Sequence, residues 1–476
     1  MERRYCMADD IVIMGAGPAG LAAGYELAKN NCKPMLFESQ DQVGGISKTI
    51  KYRDFYFDLG GHRFFTKFNE VNNLWHEVLG ADFIKVPRLS RIYYKNRYFN
   101  YPLTPLNALT GMGIFDTVKI TSSYLYSKIF PYSREDTFEQ WVSNRFGRKL
   151  YSMFFKTYTE KVWGIPCSQI QAEWAAQRIK GLSLKTAVLN AISRKNNNIK
   201  TLINEFDYPT HGPGMMYNRM KDKIEDMGGK VYINSRVDKI NTEGSKIKSL
   251  EYIDKDGRRN IVEGRYFISS IPLTELIEKL SPTPDTAILN AASNLKYRSL
   301  ITVDIIVGKQ HLFPDNWIYI HSPDVKLGRI QNFKNWSSKM VPDENRTSLG
   351  LEYFCNENDE LWNLTDDKLF ELAADEIDKI RICNKKDIED YIVIRVPKAY
   401  PVYMNGYKKN IGIIESFIRQ FKNLQPVGRY GLFKYNNMDH SVLTGLYAAK
   451  NILEGTIKYD TWSVNTDKEY HEEKAN

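Results

Sequence analysis

The chain has 476 residues, 42% of them hydrophobic and 26% charged, with a formal net charge of +9; this is an ordinary balance for two or three folded domains and excludes large-scale disorder. The positive charge comes without a basic run or an RNA-binding signature, which argues against a nucleic-acid partner. Cys6, Cys32, Cys167, Cys355 and Cys383 have neither metal-ligand spacing nor even parity, so they read as reduced structural thiols, with no metal site expected. The opening Met1 to Cys6 lacks the apolar run of a signal peptide, and residues 11–27 are glycine-broken and carry Glu26. No transmembrane segment is expected, and the expected compartment is the cytoplasm.

In chain order, the first predicted element is the most informative. Ile11-Val-Ile-Met14 reads as a strand, Gly15-Ala-Gly17-Pro18-Ala19-Gly20 as a tight turn opening a helix, and Met35-Leu-Phe37 as a second strand closed by Glu38. Gly15 permits the turn, Gly17 lets backbone approach a pyrophosphate, and Gly20 lets helix and strand pack closely. The phosphates would sit at the helix N-terminus, where free N–H groups and the dipole favour an anion. Glu38 stands where a ribose would donate to it. This spacing predicts a dinucleotide site, and two further glycine pairs predict which dinucleotide. Gly44-Gly45, ahead of Ile46 and Ser47, would let main chain cross near a pyrophosphate and ribityl chain. Gly60-Gly61-His62 would bring backbone against a flat ring system, where a Cβ would collide. The pattern reads as FAD.

From about 103 to 200 the pattern is helical, with amphipathic turns at 138–142, 150–155 and 172–179 before the polar loop 194–200; this insert is a candidate for substrate capture. Residues 229–240 read as two short strand pieces, 254–257 as a hairpin turn and 267–269 as a returning strand, so that 231–272 rejoins the nucleotide domain. Residues 298–405 alternate as strands, including 300–307 and 391–395, around a helix at 367–382, and read as a second sheet facing the insert. Gly428-Arg429 and Asn437-Met438 lead into an apolar helix at 442–453, whose N-terminus returns a second dipole to the cofactor. The expected domains are a discontinuous cofactor domain (8–100, 205–275 and 412–458), a helical insert (101–204), a sheet-containing substrate domain (276–411) and a polar tail (459–476).

The fingerprint and its glycine pairs resemble the FAD-binding start of the amine oxidase and protoporphyrinogen oxidase superfamily. Tyr158-Thr-Glu-Lys-Val-Trp163-Gly164 resembles a tyrosine-threonine-glutamate-lysine-x-tryptophan-glycine segment of its prokaryotic UDP-galactopyranose mutases. The resemblance implies an α/β fold: a discontinuous, glutathione-reductase-like Rossmann domain for FAD, a helical insert, and a second, mixed β-sheet domain for substrate. It implies FAD contacts from Gly15, Gly17, Pro18, Ala19, Gly20, Glu38, Ser39, Gly44, Gly45, Ile46, Ser47, Gly60, Gly61, His62, Val237, Ser269, Gly428, Arg429, Asn437, Met438 and Ser441. On the substrate side it implies Phe154, Tyr158, Trp163, Tyr400 and Asn437, with Tyr158 offering a flat face to a uracil and Trp163 a wall to a sugar. Arg178 and Arg329 match arginines that hold the substrate diphosphate in the mutases, and two guanidinium forks across a cleft suit that group. In that family N5 of the reduced flavin opens and recloses the sugar ring while the nucleotide leaves and returns. His62, Arg178 and Arg329 are then the candidate catalytic residues.

Two positions depart from the mutase pattern. A tyrosine-tyrosine-aspartate-methionine-histidine run has its counterpart in Asn436-Asn437-Met438-Asp439-His440, which lacks a phosphate-binding hydroxyl, and another family tyrosine falls near Met215. Both changes replace substrate contacts and leave the cofactor frame, which implies a different sugar, carrier or reaction. The expected activity is that of an FAD-dependent isomerase on a nucleotide-diphosphate sugar in glycan precursor synthesis. The alternatives are an FAD-dependent oxidoreductase removing hydride from an amine, a porphyrinogen or a polyene, and a flavin-binding protein without turnover. The sequence leaves open the sugar, the electron source, NAD(P)H or another reductant, and the oligomeric state, with a homodimer among the options.

Overall fold

Short runs form the cofactor sheet, and its first two strands, Ile11–Met14 and Met35–Phe37, are wholly apolar, as the centre of a parallel sheet covered on both faces requires. The computed structural model describes residues 10–101, 103, 112–172 and 204–465. Ile11–Met14, buried at every position, is the central strand of five in the order Leu424–Pro426, Tyr266–Ser269, Ile11–Met14, Met35–Phe37, Lys230–Tyr232, all parallel. Helix Pro18–Lys29 follows the first strand, and helix Met438–Glu454 packs along it. Two glycines make that layer close-packed. A Cβ on Gly20 would stand 2.0 Å from the Gly15 carbonyl oxygen, and one on Gly445 2.1 Å from that of Ala19.

Of the two strand pieces expected beyond Gly229, only Lys230–Tyr232 joins this sheet. The chain turns away at Asn234, where φ is +50°, and Arg236–Glu243 enters a separate four-stranded sheet with Lys246–Ile253, Arg259–Glu263 and Leu280–Ser281. The hairpin lies where the sequence puts it, because the Asp254 carboxylate accepts from the backbone N–H groups of Asp256 and Arg258, both at 2.9 Å.

The second large sheet has seven strands in the order Ile388–Val402, Lys296–Val307, Thr347–Cys355, Arg329–Asn332, Trp317–Ile320, Ser90–Tyr94, Arg97–Asn100. Its last two strands come from residues 90–100, which the expected boundaries put in the cofactor domain. They pair here because Ser90–Tyr94 runs parallel to Trp317–Ile320 and Arg91 forks onto the fully buried Asp315 at 2.6 and 2.9 Å. One face of this sheet is apolar: Ile301, Val303, Ile305 and Leu351 pack under helix Asp366–Lys379 through Leu369, Ala373 and Ile377.

In the insert, helix Phe138–Phe146 starts at a capping box in which Thr137 and Gln140 satisfy each other's backbone N–H groups. A second helical run begins at Arg148–Leu150, widens to a π-turn over Tyr151–Lys156 and resumes as Thr157–Trp163. The helical turn expected at 172–179, with Arg178, lies outside the described residues apart from its first position. Among the described residues no helix is long and apolar enough to cross a membrane.

Candidate functional site

A cavity of about 470 Å³ lies between the parallel sheet and the polar face of the seven-stranded sheet. At its nucleotide end Gly15 turns with φ +91° and donates its N–H to the Phe37 carbonyl at 2.8 Å, bringing both strand ends together. Helix Pro18–Lys29 begins there with no side-chain cap, and so does helix Met438–Glu454 behind Asn437. Two uncapped N-termini on one cavity concentrate donors and positive potential, as a pyrophosphate needs. The Glu38 carboxylate is pinned by the backbone N–H groups of Ala16 at 2.9 Å and Gln40 at 3.0 Å, which fixes its orientation at the cavity wall. Gly44 and Gly45 turn with φ +102° and +54°, and Gly44 donates to the Ala16 carbonyl at 2.9 Å. Gly428 has φ +78°, and a Cβ there would stand 2.9 Å from that of Ala19.

The wall includes Gly15, Gly17, Pro18, Ala19, Glu38, Ser39, Gly45, Ile46, Ser47, Val237, Gly428, Met438 and Ser441. Gly20, Gly44 and Ser269 stand outside it. Gly20 acts as the helix spacer, and Ser269 is replaced in the wall by Ser270, whose Oγ donates to the Met14 and Gly15 carbonyls at 3.0 and 3.1 Å.

The turn Gly60-Gly61-His62 lies deeper in the cavity, facing the seven-stranded sheet. Gly60 has φ +103°, and a Cβ there would lie 3.6 Å from Arg329 Nη2 and from Glu352 Oε1. Strand register explains the wall opposite. Tyr319, Arg329, Glu352 and Thr302 form one cross-strand row, and Trp317, Gln331, Gly350 and Asp304 the next, so alternate positions of apolar strands present polar groups to the cavity side. Arg329 grips Glu352 through Nε, at 2.9 Å to both oxygens, and Nη2 at 2.6 Å. Gln331 Nε2 donates to the same carboxylate at 2.7 Å. Glu352 itself is fully buried.

Burial, reinforced by the Arg429 and Arg329 charges, pushes His62 down to about 3, so its imidazole is neutral and no acid at neutral pH. Burial raises Asp58 to about 7 against the hydrogen bonds from Tyr208 and Thr49, and lifts Asp304 well above the carboxylate range, helped by the nearby Glu352 and Asp58 charges.

Arg429 donates to the carbonyls of Asn436 at 2.9 Å and Ala399 at 3.1 Å, and its guanidinium lies over the rings of Tyr435 and Tyr400. Those two rings stack at 5.7 Å and 14°. Tyr101, Tyr319, Tyr400, Tyr435, Asn436 and Asn437 line this end of the cavity. The sequence reading missed Tyr435, although it directly precedes the Asn436-Asn437 pair and brings a phenol close to where the resembling family carries one.

Phe154, Tyr158 and Trp163 stand outside the lining. Phe154 packs edge-on against Phe99. Tyr158 stacks on His321 at 4.7 Å and 7° and meets Tyr319 edge-on, while Trp163 backs Tyr400 and Tyr435. The rest of the Tyr158–Gly164 segment fastens helix to sheet. Lys161 donates to the carbonyls of Ile320 at 3.3 Å, Ser322 at 2.7 Å and Leu327 at 3.1 Å. Arg298 donates to the Val162 carbonyl at 3.2 Å and the Phe354 carbonyl at 2.9 Å. A Cβ on Gly164 would fall 2.5 Å from the Arg298 guanidinium carbon. Neither Arg298, Gln331 nor Glu352 was foreseen; the signal available was polar residues at alternate positions of apolar strands.

The profile of the family described as flavin containing amine oxidoreductase matches residues 18–453. The chain belongs to that family. It is a flavin enzyme with FAD as cofactor, and the positive-φ glycines, the pinned Glu38 and the two open helix N-termini fit that group. Among curated proteins, this flavoenzyme is 24% identical to the 15-cis-phytoene desaturase of Narcissus pseudonarcissus over 94% of its own length and 79% of the relative's. It is 42% identical to a probable flavin-containing monoamine oxidase A of Dictyostelium discoideum over 52 residues, 11% of each chain. Among solved structures it resembles reduced UDP-galactopyranose mutase with a TM-score of 0.83 at 23% identity, covering 97% and 99% of the two chains. It resembles a putative protoporphyrinogen oxidase from Exiguobacterium sp. 255-15 with a TM-score of 0.71 at 17% identity, covering 95% and 99%. These likenesses establish the fold: an FAD-binding domain joined to a second sheet domain.

Proposed function

We propose that this flavoenzyme acts on a nucleotide-diphosphate sugar, in the manner of the mutases its fold resembles, in glycan precursor synthesis. One observation carries the reading: beside Gly60-Gly61 the cavity is walled by phenols and guanidinium groups, Tyr101, Tyr319, Tyr400, Tyr435, Arg63 and Arg329. A polyol diphosphate finds donors and acceptors there, whereas a polyene or porphyrinogen would strand them. The flavin supplies the chemistry at the reacting carbon. The chain's own groups orient the substrate. Arg329, held on Glu352 through Nε and Nη2, turns Nη1 to a phosphate oxygen, and the Tyr400 and Tyr435 hydroxyls take the sugar or the second phosphate. Arg178 joins them in this reading, and His62 serves as a neutral neighbour of the ring. Cys167, Cys355 and Cys383 are buried free thiols, in keeping with a cytoplasmic setting.

A second reading is hydride removal from a polar substrate. It is favoured by the pairing of Arg329 with Glu352, which already balances the charge that a diphosphate would use. One titration separates the two. The FAD-loaded protein, oxidised and dithionite-reduced, is followed by flavin absorbance against UDP and UDP-sugars. A shift stronger in the reduced state, with an interconverted sugar, supports the first reading. Bleaching of oxidised flavin by an amine or alcohol, without any nucleotide response, replaces it with the second.

A further inference from the structure

Six of the eleven large apolar side chains exposed among the described residues fall between residues 115 and 130: Phe115, Val118, Leu125, Tyr126, Ile129 and Phe130. The first five stand on helix Ile114–Ile129, and Phe130 is its C-cap. At about 100° per residue, positions 115, 118, 122, 125, 126 and 129 make one stripe, interrupted only by Ser122. Phe115 is 86% exposed and Ile129 70%, so this is a continuous apolar face and not the scattered exposure normal for a surface. The polarity of the helix is inverted. Its inward side carries Asp116, Thr117, Ile120, Ser123 and Ser127, of which Ile120 and Ser127 are buried, and Ser123 Oγ accepts the Lys149 N–H at 2.9 Å. A helix kept for core packing would turn its aromatic and aliphatic side chains the other way.

Charge indicates what this face meets. Lys119 and Arg148 stand exposed along one border, Arg148 with its guanidinium 5.5 Å from the Tyr126 ring centroid. Lys128 stands exposed along the other, anchored on the Asn144 carbonyl at 2.9 Å. Asp116, the helix's only acid, is on the inward side. An apolar stripe with a cation on each border is the form of a helix lying in a lipid interface, where rings and aliphatic chains enter the acyl boundary while lysine and arginine heads reach the phosphates. Its 16 residues extend about 24 Å, and it is not apolar enough to span a bilayer, so it would lie on one. A second copy of the chain fits less well, because a two-fold contact through the stripe would set these cations against their own copies. We propose that helix Ile114–Ile129 docks the enzyme on an anionic membrane surface. This stands whichever substrate the enzyme takes.

The test is sedimentation of the FAD-loaded protein with vesicles of phosphatidylcholine alone and of phosphatidylcholine mixed with phosphatidylglycerol. It compares the wild type with the double variant Phe115→Ser, Ile129→Ser and with Lys119→Glu. None of these side chains lines the cavity, so the flavin spectrum should be unchanged in both variants. We expect the wild type to bind the anionic vesicles, less so as salt is raised, and each variant to partition about tenfold more weakly. No wild-type binding, equal binding to both kinds of vesicle, or variants that bind as the wild type does would each overturn the proposal. A wild-type dimer that the double variant dissolves, with no vesicle binding, overturns it in favour of a second copy on the same face. Hydrogen exchange on the unmutated protein guards against variants that fail to fold: anionic vesicles should slow exchange over 114–130 and leave the parallel sheet unaffected. Exchange over 114–130 that vesicles do not alter overturns the assignment independently of the nucleotide-sugar titration.

Discussion

Glu352 receives Arg329 and Gln331 with no exposed surface of its own, so a single carboxylate sets both groups. Glu352→Gln would leave the guanidinium charge without its counterion. We expect a loss of about 3 kcal/mol in unfolding free energy, read by denaturant titration. Asp58 gives a pH signature. Its carboxyl is raised to about 7 in the fold, so its contribution is complete below about pH 4 and is lost as pH rises to 7, at a slope of up to about 1.4 kcal/mol per unit. In Asp58→Asn the slope of stability against pH between 4 and 7 should flatten. His62, down at about 3, stays neutral throughout, so His62→Ala should leave any pH dependence of the flavin spectrum between about 5 and 9 unchanged. At this scale the sequence was legible where partners are neighbours. The Gly15–Gly20 turn and Glu38 could be read directly, because the fingerprint contains everything it needs. Glu352 and Gln331 could not, because a carboxylate in an apolar strand acquires meaning only when register sets it beside Arg329.

At the scale of elements, the Tyr158–Gly164 segment was found correctly as a helix but read as substrate surface. In the structure it works as a fastening. Lys161 serves three carbonyls of the seven-stranded sheet and its connections, and burial lowers its ammonium to about 8, the mark of a cation kept for its hydrogen bonds. Lys161→Met would orphan those carbonyls. A destabilisation of about 2–3 kcal/mol is expected, with faster amide exchange along Trp317–Ile320 as the local readout and flavin retention much less affected. The π-turn at Tyr151–Lys156 was beyond the sequence, since one extra residue per turn leaves hydrophobic spacing almost unaltered while rotating the later residues to a new face.

At the scale of the molecule, the cofactor sheet draws strands from residues 11–14, 35–37, 230–232, 266–269 and 424–426. The discontinuity was legible because the pieces at 11–14, 35–37 and 266–269 are short, largely apolar runs near glycine or proline. The transfer of Ser90–Asn100 to the other sheet was not, because its determinant, Asp315, lies far along the chain from Arg91. Since the cavity is lined from segments spread between residues 15 and 441, loading FAD there should stabilise the described fold. At a hundredfold excess over the dissociation constant the gain is about 2.7 kcal/mol, measurable as a higher thermal midpoint for the loaded protein. Helix Met438–Glu454 crosses the first helix at Gly445, and its open N-terminus is one of the two that open on the cavity. During synthesis, then, the ribosome has made the fingerprint more than four hundred residues before the element that closes over its ligand. A nascent chain would offer FAD half a site, and flavin retention is expected only once helix Met438–Glu454 has been made.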